Sequence, residues 1–480
     1  MRRLGAWLRA ETPLSLPAFL GVALLLRLPA VAWARGYEFL DQQFQYVDPA
    51  WHLATGAAWH RTWEWIDGVR SLVHPGALAG VFVLGRSLGI AAPEPLLGFA
   101  RLAHALLGLV PMAALWLVVT RWRPVAGQRQ VLLWVASWFL VVYAAVQPNA
   151  PFAAASLSVA SVLFFLGPGR LWPFVAGLCL GLAFCGRAQD AVFGPVLVVA
   201  GALQRRWAAS ALLVLGCVPG VLGQGLLDLE VHGRFLHTAW RYVELNLVYG
   251  AASRWPAAAP LAYAGIVAGL FLMVFPSAWR WFARGARALP LPLAVAVAYL
   301  LIHSLIARKQ FRFVVPALVL LGIVHAAGMV GEAYARRAAG ARDDRLTKVH
   351  RRVWLGAQGI LLVLAWFAYF HRGPVEAAQA LAARGDFTGA LAVVDGSETS
   401  VGGWYYLQRQ DVQVECVARE RLAGWLADPA RPARVHLMVV GVPLAGAAPE
   451  GWRLTEWFRS ADLPDWKARN RRFLYVAERR

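Results

Sequence analysis

Long uninterrupted runs of apolar residues dominate the chain between residues 14 and 371. Runs of about 15 to 24 residues are, for the most part, long enough for a helix to cross a hydrocarbon core about 30 Å thick. They lack the alternation of a half-buried strand, so we interpret each run as a membrane-spanning helix. The pattern predicts eleven spans, at 14–33, 97–120, 130–147, 151–166, 171–185, 190–204, 208–226, 260–279, 290–307, 313–331 and 353–371.

The basic residues predict how these spans are oriented. With an inner N-terminus that carries Arg2, Arg3 and Arg9, every inner loop is basic, as the positive-inside rule requires. The further inner cations are Arg121, Arg123, Arg129, Arg170, Arg205, Arg206, Arg280, Arg284, Arg287 and the basic stretch from Arg336 to Arg352.

One apolar segment, from Pro75 to Ile90, decides this topology. As a twelfth span it would invert everything that follows and place the arginine-rich loops outside. Its glycines disfavour a regular spanning helix and favour an interfacial or re-entrant one. We therefore predict that it does not cross the membrane.

Composition excludes a water-soluble protein. Of 480 residues 59% are hydrophobic and only 15% are charged, and the mean hydropathy is +0.51. A net charge of +20 would indicate nucleic acid in a soluble chain, but these cations lie mostly in short loops, so we expect membrane lipids and no nucleic acid as partners. The four cysteines offer neither a disulfide framework nor a CxxC metal site.

Hydrophobicity falls after residue 371, and the tail predicts a small α/β domain in the outer compartment. Strands are expected near 390–395, 411–415, 435–440 and 472–476, with a helix near 418–426. The chain then comprises a membrane domain over 1–371, with an outer loop at 34–96, and an outer-face domain over 372–480. The expected fold class is an all-α polytopic membrane protein with this small α/β addition.

The outer loop at 34–96 gathers carboxylates and aromatic residues beside the membrane. Asp41 and Asp48 come first, and a Thr-Trp-Glu-Trp segment and Arg70 follow. A carboxylate in such a loop can deprotonate a bound hydroxyl if it approaches within about 3 Å. The alternative is that both aspartates are helix caps or solvated loop charges.

A second candidate cluster follows His303, where one predicted span ends and the next begins. Arg308, Lys309 and Arg312 stand on the outer side, against the positive-inside bias. A phosphate at the membrane surface would supply the counter-charge through charge-assisted hydrogen bonds. The alternative is that these side chains extend to lipid headgroups.

Two further segments place polar residues among apolar ones. Arg187 and Gln189 lie between two spans, where a near-membrane arginine indicates a functional site, although a structural pair with Asp190 is an alternative. A long aromatic outer loop carries His232 and Asn246, and it either shapes a sugar or lipid site or forms an aromatic belt.

In order along the chain, these segments resemble glycosyltransferase family 22, the lipid-linked α-mannosyltransferases of the GT-C superfamily. The resemblance rests on Asp41-Gln42-Gln43-Phe44-Gln45, Thr62-Trp63-Glu64-Trp65, Arg70-Ser71 through Pro75, Asp228 with His232-Gly233 and Asn246, and His303-Ser304 with Arg308-Lys309-Gln310 and Arg312-Phe313. Phe39-Leu40 stands where the family has His-Pro, and Gln42 where it has Glu. The chain therefore resembles a divergent bacterial member.

The resemblance implies a GT-C fold and transfer of a sugar, in this family mannose, from a polyprenyl-phosphate donor to a glycan or glycolipid acceptor. It implies an inverting displacement without metal or cofactor, on the periplasmic face of a bacterial inner membrane, or in the endoplasmic reticulum membrane of a eukaryote. Asp41 takes the base position. Arg187, Arg308, Lys309 and Arg312 would bind the donor phosphate. The expected substrate-binding residues are Gln42, Gln45, Asp48, Trp63, Glu64, Arg70, Gln189, His232, Asn246 and His303.

A transporter or flippase of lipid-linked sugars is the alternative from another class of protein, since it would show the same spans and outer cations. Transporters often carry inverted repeats and helices broken at mid-membrane. The sequence shows neither clearly, and it therefore favours the enzyme.

Overall fold

A computed structural model describes residues 12–250, 258–409, 411–444, 448–460 and 471–480. The N-terminal arginines Arg2, Arg3 and Arg9, on which the predicted orientation partly depends, lie outside the described residues. The described chain divides into two compact units. The membrane unit contains residues 12–33, 71–74 and 101–367, and the sheet unit contains 34–70, 75–100 and 368–480.

The membrane unit is helical. Its principal helices are Leu16–Leu25, Leu28–Trp33, Leu109–Leu117, Gln128–Ser137, Phe139–Val146, Ala150–Phe165, Leu171–Gly186, Phe193–Leu203, Trp207–His232, His237–Val243, Ala262–Leu270, Pro276–Ala288, Pro290–Ser304, Phe311–Ala338 and Arg345–Trp366. Helix Phe311–Ala338 lies at the centre, since 94% of its most apolar window is buried. For Trp207–His232 that share is 28%, which is typical of a helix that faces lipid.

The structure does not confirm the predicted count of eleven spans. Among the described residues, four helices are long and apolar enough to cross a membrane: Leu16–Trp33, Pro93–Trp122, Trp207–His232 and Phe311–Ala338. Two bent pairs, Gln128–Ser137 with Phe139–Val146 and Pro276–Ala288 with Pro290–Ser304, raise this number to six. Most of the other predicted spans form helices of fewer than 18 residues. The run at 353–371 lies largely in the 22-residue helix Arg345–Trp366, which is not among the apolar candidate spans.

Two helices of the membrane unit approach closely through paired glycines. Gly177 and Gly181 on helix Leu171–Gly186 face Gly216 and Gly220 on helix Trp207–His232. A Cβ added at Gly177 would lie 2.1 Å from the Leu213 carbonyl oxygen, and one at Gly220 would lie 2.4 Å from the Gly181 carbonyl carbon. Small residues at four-residue spacing allow helices to pack backbone against backbone in a membrane.

The sheet unit combines the first outer-loop segment, which the sequence analysis assigned to the membrane domain, with the C-terminal tail. Strand β1 (Arg35–Gly36) pairs in parallel with β2 (Tyr369–Phe370). Residues from both parts, among them Tyr37, Phe82, Val375 and Tyr405, share one hydrophobic core. This shared core explains why the loop segment belongs with the tail.

A five-stranded sheet forms the C-terminal part of this unit. In chain order its strands are β3 (Ala390–Val394), β4 (Gln413–Val417), β5 (Arg434–Val440), β6 (Trp452–Arg459) and β7 (Arg472–Arg479). Their spatial order is β4-β3-β5-β7-β6, parallel on the β3 side and antiparallel at β7. The four predicted strands are present, and β6 was not predicted.

Short helices complete the sheet unit. They are Leu40–Gln42, Asp48–Thr55, Trp63–Ile66, Arg372–Ala382, Trp404–Leu407 and Leu422–Ala427, together with the outer-loop helix Val73–Ser87 and the first turns of Pro93–Leu107. The predicted tail helix at 418–426 is a 3-10 turn, Arg419–Arg421, that continues into Leu422–Ala427. Helix Val73–Ser87 covers the segment that decided the topology, and it is not among the candidate spans within the described residues.

Candidate active site

Arg187 is at the centre of a buried polar cluster in the membrane unit. It directly follows helix Leu171–Gly186, and its backbone is extended, with φ −158°. Its side chain therefore does not continue the helical arrangement of the preceding residues. Its Nε donates to Gln189 Oε1 at 3.0 Å, and its Nη1 donates to the Phe313 carbonyl oxygen at 3.2 Å. Because only 5% of the side chain is exposed, the guanidinium has one fixed orientation.

Asp190 is the carboxylate of this cluster. It is fully buried, and its Oδ1 lies 3.7 Å from Arg187 Nη1. It also accepts hydrogen bonds from Tyr299 at 2.7 Å and from Ser158 at 3.0 Å. A buried ion pair is tolerated when its remaining polar atoms are satisfied in this way. The ion pair between Arg187 and Asp190, which the sequence analysis gave as the structural alternative, is therefore present. It is compatible with a role of Arg187 in binding an anion.

His303 joins the cluster through Tyr299, one helical turn earlier. The two rings stack with centroids 4.0 Å apart, and His303 Nδ1 lies 3.0 Å from the Tyr299 carbonyl oxygen. In the described part of the chain, Nε2 of the buried His303 has no hydrogen-bond partner. The imidazole can thus offer this atom to a ligand.

Three more cations surround the start of helix Phe311–Ala338. Arg187 and Arg312 place their guanidinium carbons 5.0 and 5.5 Å from the centre of the Phe313 ring. Lys309 lies 5.9 Å from the Tyr263 ring centre and donates to the Ile306 carbonyl oxygen at 2.6 Å. Arg308 is partly exposed in the same loop. All four predicted phosphate-binding residues thus lie in the membrane unit, and Arg187 and Arg312 share one aromatic ring.

Gln189 connects this cluster to the long aromatic loop. Its Nε2 donates to the Tyr242 hydroxyl, and Asn246 Nδ2 donates to the Tyr242 carbonyl oxygen at 2.9 Å. His232 is partly exposed, and its ring stacks on His237 with centroids 4.5 Å apart. Of the two predicted loop residues, Asn246 is therefore connected to Arg187 by hydrogen bonds, through Tyr242 and Gln189.

A buried network fixes the base of this loop. Asp228 accepts from the Thr238 backbone N–H at 3.0 Å and from the Thr238 hydroxyl at 2.8 Å. Gln224 donates to Asp228 at 2.8 Å and accepts from the Ser71 hydroxyl at 2.6 Å. Ser71 of the family pattern and the Asp228 segment therefore meet in the membrane unit.

Asp41, the predicted base, belongs to the sheet unit. It is partly exposed on the single turn Leu40–Gln42. The neighbouring Gln42 is fully buried, and its Oε1 accepts from the Glu38 backbone N–H at 3.1 Å. This bond orders the turn that carries Asp41.

Asp48 is fully buried in the same unit and serves as an acceptor. It accepts from Gln43 Nε2 at 2.7 Å and from the backbone N–H groups of Tyr405 at 2.9 Å and Trp404 at 3.2 Å. Burial raises the pKa of its carboxyl to about 6, although these hydrogen bonds lower it. Asp48 thus joins the loop segment to the tail and caps the turn Trp404–Leu407.

The Thr-Trp-Glu-Trp segment forms its own contacts within the sheet unit. Glu64 accepts from Gln45 Nε2 at 2.7 Å, and its carboxylate lies 3.7 Å from Arg70 Nη2. Trp63 is 43% exposed. Of the predicted residues in this unit, Gln42, Gln45, Asp48 and Glu64 are buried, whereas Asp41, Trp63 and Arg70 reach the surface.

Sequence reasoning did not select three residues that shape the cationic cluster: Ser158, Tyr263 and Tyr299. Tyr263 accepts a 3.2 Å hydrogen bond from the Gln310 backbone N–H and thereby orders the loop that carries Lys309. Tyr299 precedes His303 by four residues on one helix, and this spacing places polar side chains on one face. That spacing is the signal that could have identified Tyr299. Within the described ranges, no group of three or more His, Cys, Asp or Glu side chains is placed to hold a metal ion.

The model of the Alg9-like mannosyltransferase family matches residues 18–384. The chain belongs to the Alg9-like mannosyltransferase family. This match confirms the resemblance that the sequence motifs indicate, and it covers the whole membrane unit except its first residues.

Two curated relatives are similar to the chain. GPI mannosyltransferase 3 of Drosophila melanogaster is 23% identical over 374 residues, which is 74% of this chain and 62% of the relative. GPI mannosyltransferase 3 of Gibberella zeae is 38% identical over 69 residues, 14% of this chain and 11% of the relative. The chain therefore spans about three fifths of the Drosophila protein's length.

The fold is similar to that of a solved membrane enzyme. ArnT from Cupriavidus metallidurans matches with a TM-score of 0.62 in its apo state and 0.58 in its complex with undecaprenyl phosphate. Both matches are 14% identical and cover 96% of this chain and 97% of ArnT. The chain is a multi-pass membrane protein with a GT-C fold, mostly helical and with a small C-terminal sheet.

Proposed function

We propose that the protein transfers a sugar, mannose as its family name indicates, from a polyprenyl-phosphate donor to a glycan or glycolipid acceptor. The observation that carries this proposal is the cluster of Arg187, Arg308, Lys309 and Arg312 at the start of helix Phe311–Ala338. The ArnT structure with undecaprenyl phosphate supports this donor class, because a polyprenyl phosphate presents its anion at the membrane surface.

The proposed chemistry is one inverting displacement without a metal. The acceptor oxygen forms a bond to the anomeric carbon while the bond from that carbon to the phosphate oxygen breaks. Asp41 takes the acceptor's proton, and the bonding pair leaves with the polyprenyl phosphate. The four cations stabilise the negative charge that grows on the departing phosphate.

We assign the remaining predicted residues by their exposure. A sugar can contact the exposed parts of four side chains, those of Trp63, Arg70, His232 and Asn246. It can also contact Nε2 of His303, which has no partner among the described residues. Gln42, Gln45, Asp48 and Glu64 are buried and hydrogen-bonded, so they hold the outer-loop segment in place. Gln189 orients Arg187 from its 3.0 Å contact.

The deciding experiment measures turnover. Purified protein supplied with polyprenyl-phosphate mannose and a glycan acceptor should release polyprenyl phosphate. Asp41→Asn should abolish release while donor binding is retained, and Asp67→Asn, a partly exposed carboxylate at the end of Trp63–Ile66, should leave it unchanged. Full turnover by Asp41→Asn would refute the base assignment. Donor translocation without turnover by the unmodified protein would favour a flippase.

We further propose that residues 372–480 and the loop at 34–96 stand on the periplasmic face of a bacterial inner membrane. Single cysteines introduced at Ala339 and at Gly396 should then react with a membrane-impermeant maleimide from opposite sides. Reaction from the same side would contradict this orientation.

A further inference from the structure

A cavity lies in the sheet unit, and none of the residues assigned to sugar transfer lines it. Its volume is about 250 Å³. This is below the roughly 300–1,000 Å³ of pockets that enclose a drug-sized ligand, and it suits one compact polar group. Its lining residues are Trp51, Thr55, Ala57, Arg86, Ala91 and Gln408.

The cation of this cavity is Arg86, on the last turn of helix Val73–Ser87. Its guanidinium carbon lies 5.4 Å from the centre of the Trp51 ring. In the part of the chain that the structure describes, no carboxylate pairs with Arg86, in contrast with Arg384, Arg409 and Arg419 of the same unit. Arg86 therefore gives the cavity a positive charge.

The lining residues of the cavity include no carboxylate, and one buried donor of its wall lacks an acceptor among the described residues. Trp51 is 6% exposed, and its Nε1–H has no acceptor among the described residues. The Thr55 hydroxyl donates to the Trp51 carbonyl oxygen at 2.7 Å, which fixes the wall. A guanidinium beside an unsatisfied N–H is chemistry for an anion with several acceptor oxygens, such as a phosphate.

The surroundings of Arg86 indicate where that phosphate comes from. Val83, Leu84 and Leu88 are 52, 53 and 64% exposed around it, which is typical of a helix end that contacts lipid. Ala91 of the cavity wall stands two residues before the candidate span Pro93–Trp122. A Cβ at Gly85 would lie 2.6 Å from the Leu96 side chain, so the turn that carries Arg86 packs directly on that helix.

We propose that this cavity binds the phosphate of an anionic membrane phospholipid. Arg86 pairs with the phosphate, the Trp51 ring supports the guanidinium, and the acyl chains lie against the exposed leucine and valine side chains. The site would hold the outer-loop helix on the bilayer surface, and it is independent of the donor site around Arg187.

Binding can be measured on the full-length protein in detergent, with short-chain dihexanoyl-phosphatidylglycerol as the probe. We expect saturable binding, and we expect Arg86→Gln to raise the Kd by about tenfold or more, since the substitution removes the charge-assisted hydrogen bonds to the phosphate. Arg86→Lys should retain part of the affinity. Arg61→Gln is the matched control, because exposed Arg61 lies 5.8 Å from the Trp59 ring centre but does not line the cavity.

Three comparisons separate the possible ligands. Dihexanoyl-phosphatidylcholine and inorganic phosphate should each bind at least several-fold more weakly than the anionic lipid. Equal binding of inorganic phosphate would overturn the lipid assignment, and equal binding of phosphatidylcholine would overturn the requirement for net negative charge. An equal loss in Arg61→Gln, or no binding with Arg86 intact, would overturn the site itself. Thermal unfolding of each variant confirms that it is folded.

Discussion

Tyr299 donates its hydroxyl hydrogen to Oδ1 of Asp190 at 2.7 Å, across two helices of the membrane unit. This is the same oxygen that lies 3.7 Å from Arg187 Nη1. Tyr299 therefore sets the position of the carboxylate, and the carboxylate sets the position of the guanidinium. Tyr299 thus positions Arg187, the proposed phosphate-binding arginine, through Asp190 and without contacting the donor itself.

Tyr299→Phe should raise the KM for the polyprenyl-phosphate donor about tenfold, with a smaller change in kcat. A hydrogen bond to a buried charged group contributes about 1.5–3 kcal/mol, and its loss lets Asp190 and Arg187 move. Steady-state kinetics at varied donor concentration measure this. Tyr249→Phe, at a tyrosine that is 61% exposed, should have no such effect, and an unchanged KM in Tyr299→Phe would contradict the positioning role.

Lys309→Gln should raise the donor KM by about tenfold and reduce its dependence on ionic strength. A charge-assisted contact to phosphate is stronger than a neutral one, and salt screens a partly exposed cation. Donor titrations at low and high salt test both effects. Lys348→Gln, an exposed lysine on helix Arg345–Trp366, is the control, and equal changes in both variants would indicate a general charge effect.

Gly220→Ala should destabilise the membrane unit by about 1–3 kcal/mol, because the new Cβ would lie 2.4 Å from a backbone carbon of Gly181. Gly223→Ala on the same helix meets nothing within 4 Å, and alanine's higher helix propensity should leave that variant as stable or slightly more stable. Thermal unfolding in detergent compares the two. Equal melting temperatures would show that the helices do not pack through these glycines.

Asp48 predicts an unusual pH dependence of stability. Burial raises the pKa of its carboxyl from 3.8 to about 6, so between these values the folded state binds more protons than the unfolded state. Its contribution to the free energy of unfolding therefore falls as the pH rises from about 4 to about 6, by roughly 2–3 kcal/mol, and then levels off.

Asp48→Asn should remove this pH-dependent contribution, since asparagine does not titrate. Its one amide oxygen can accept from the Tyr405 N–H, whereas the bond from the Trp404 N–H to the second oxygen is lost at every pH. The measurement is the difference between variant and parent in the unfolding free energy at pH 4 and at pH 7. Asp386, whose hydrogen bond from Arg384 lowers its pKa to about 2, is present in both proteins and cancels in the comparison. A difference independent of pH would mean that the Asp48 carboxyl is not buried.

The sequence predicted the parts of the fold that depend on continuous hydrophobic runs. Helix Phe311–Ala338 contains the run at 313–331, strand β3 is apolar throughout, and β5 is apolar from residue 437 to residue 440. Strand β6 was missed because the irregularity between Glu456 and Phe458 interrupts its alternation of apolar and polar side chains. The bend at Trp138 escaped prediction because neither proline nor glycine stands near it inside the run at 130–147. The bend at Leu289 falls between two predicted spans, and Pro290 follows it directly.

The candidate site was predictable where its partners are close in sequence or match a family motif. Arg187 and Gln189 are two residues apart, and the cations at 308–312 lie in one loop. Ser158 and Tyr299 could not be predicted as partners of Asp190, because hydrogen bonds between distant segments leave no local pattern. Asp48 was expected at the substrate, and only the structure reveals its bonds to the Trp404–Leu407 turn.

The pairing of Arg35–Gly36 with Tyr369–Phe370 constrains the order in which the protein can assemble. The ribosome produces one strand before nearly all of the membrane helices and the other after them. The early segment, with its buried glutamines and Asp48, must therefore wait without its partners while the helices are inserted. A chaperone that shields residues 34–70 during that interval would be expected to increase the yield of folded protein.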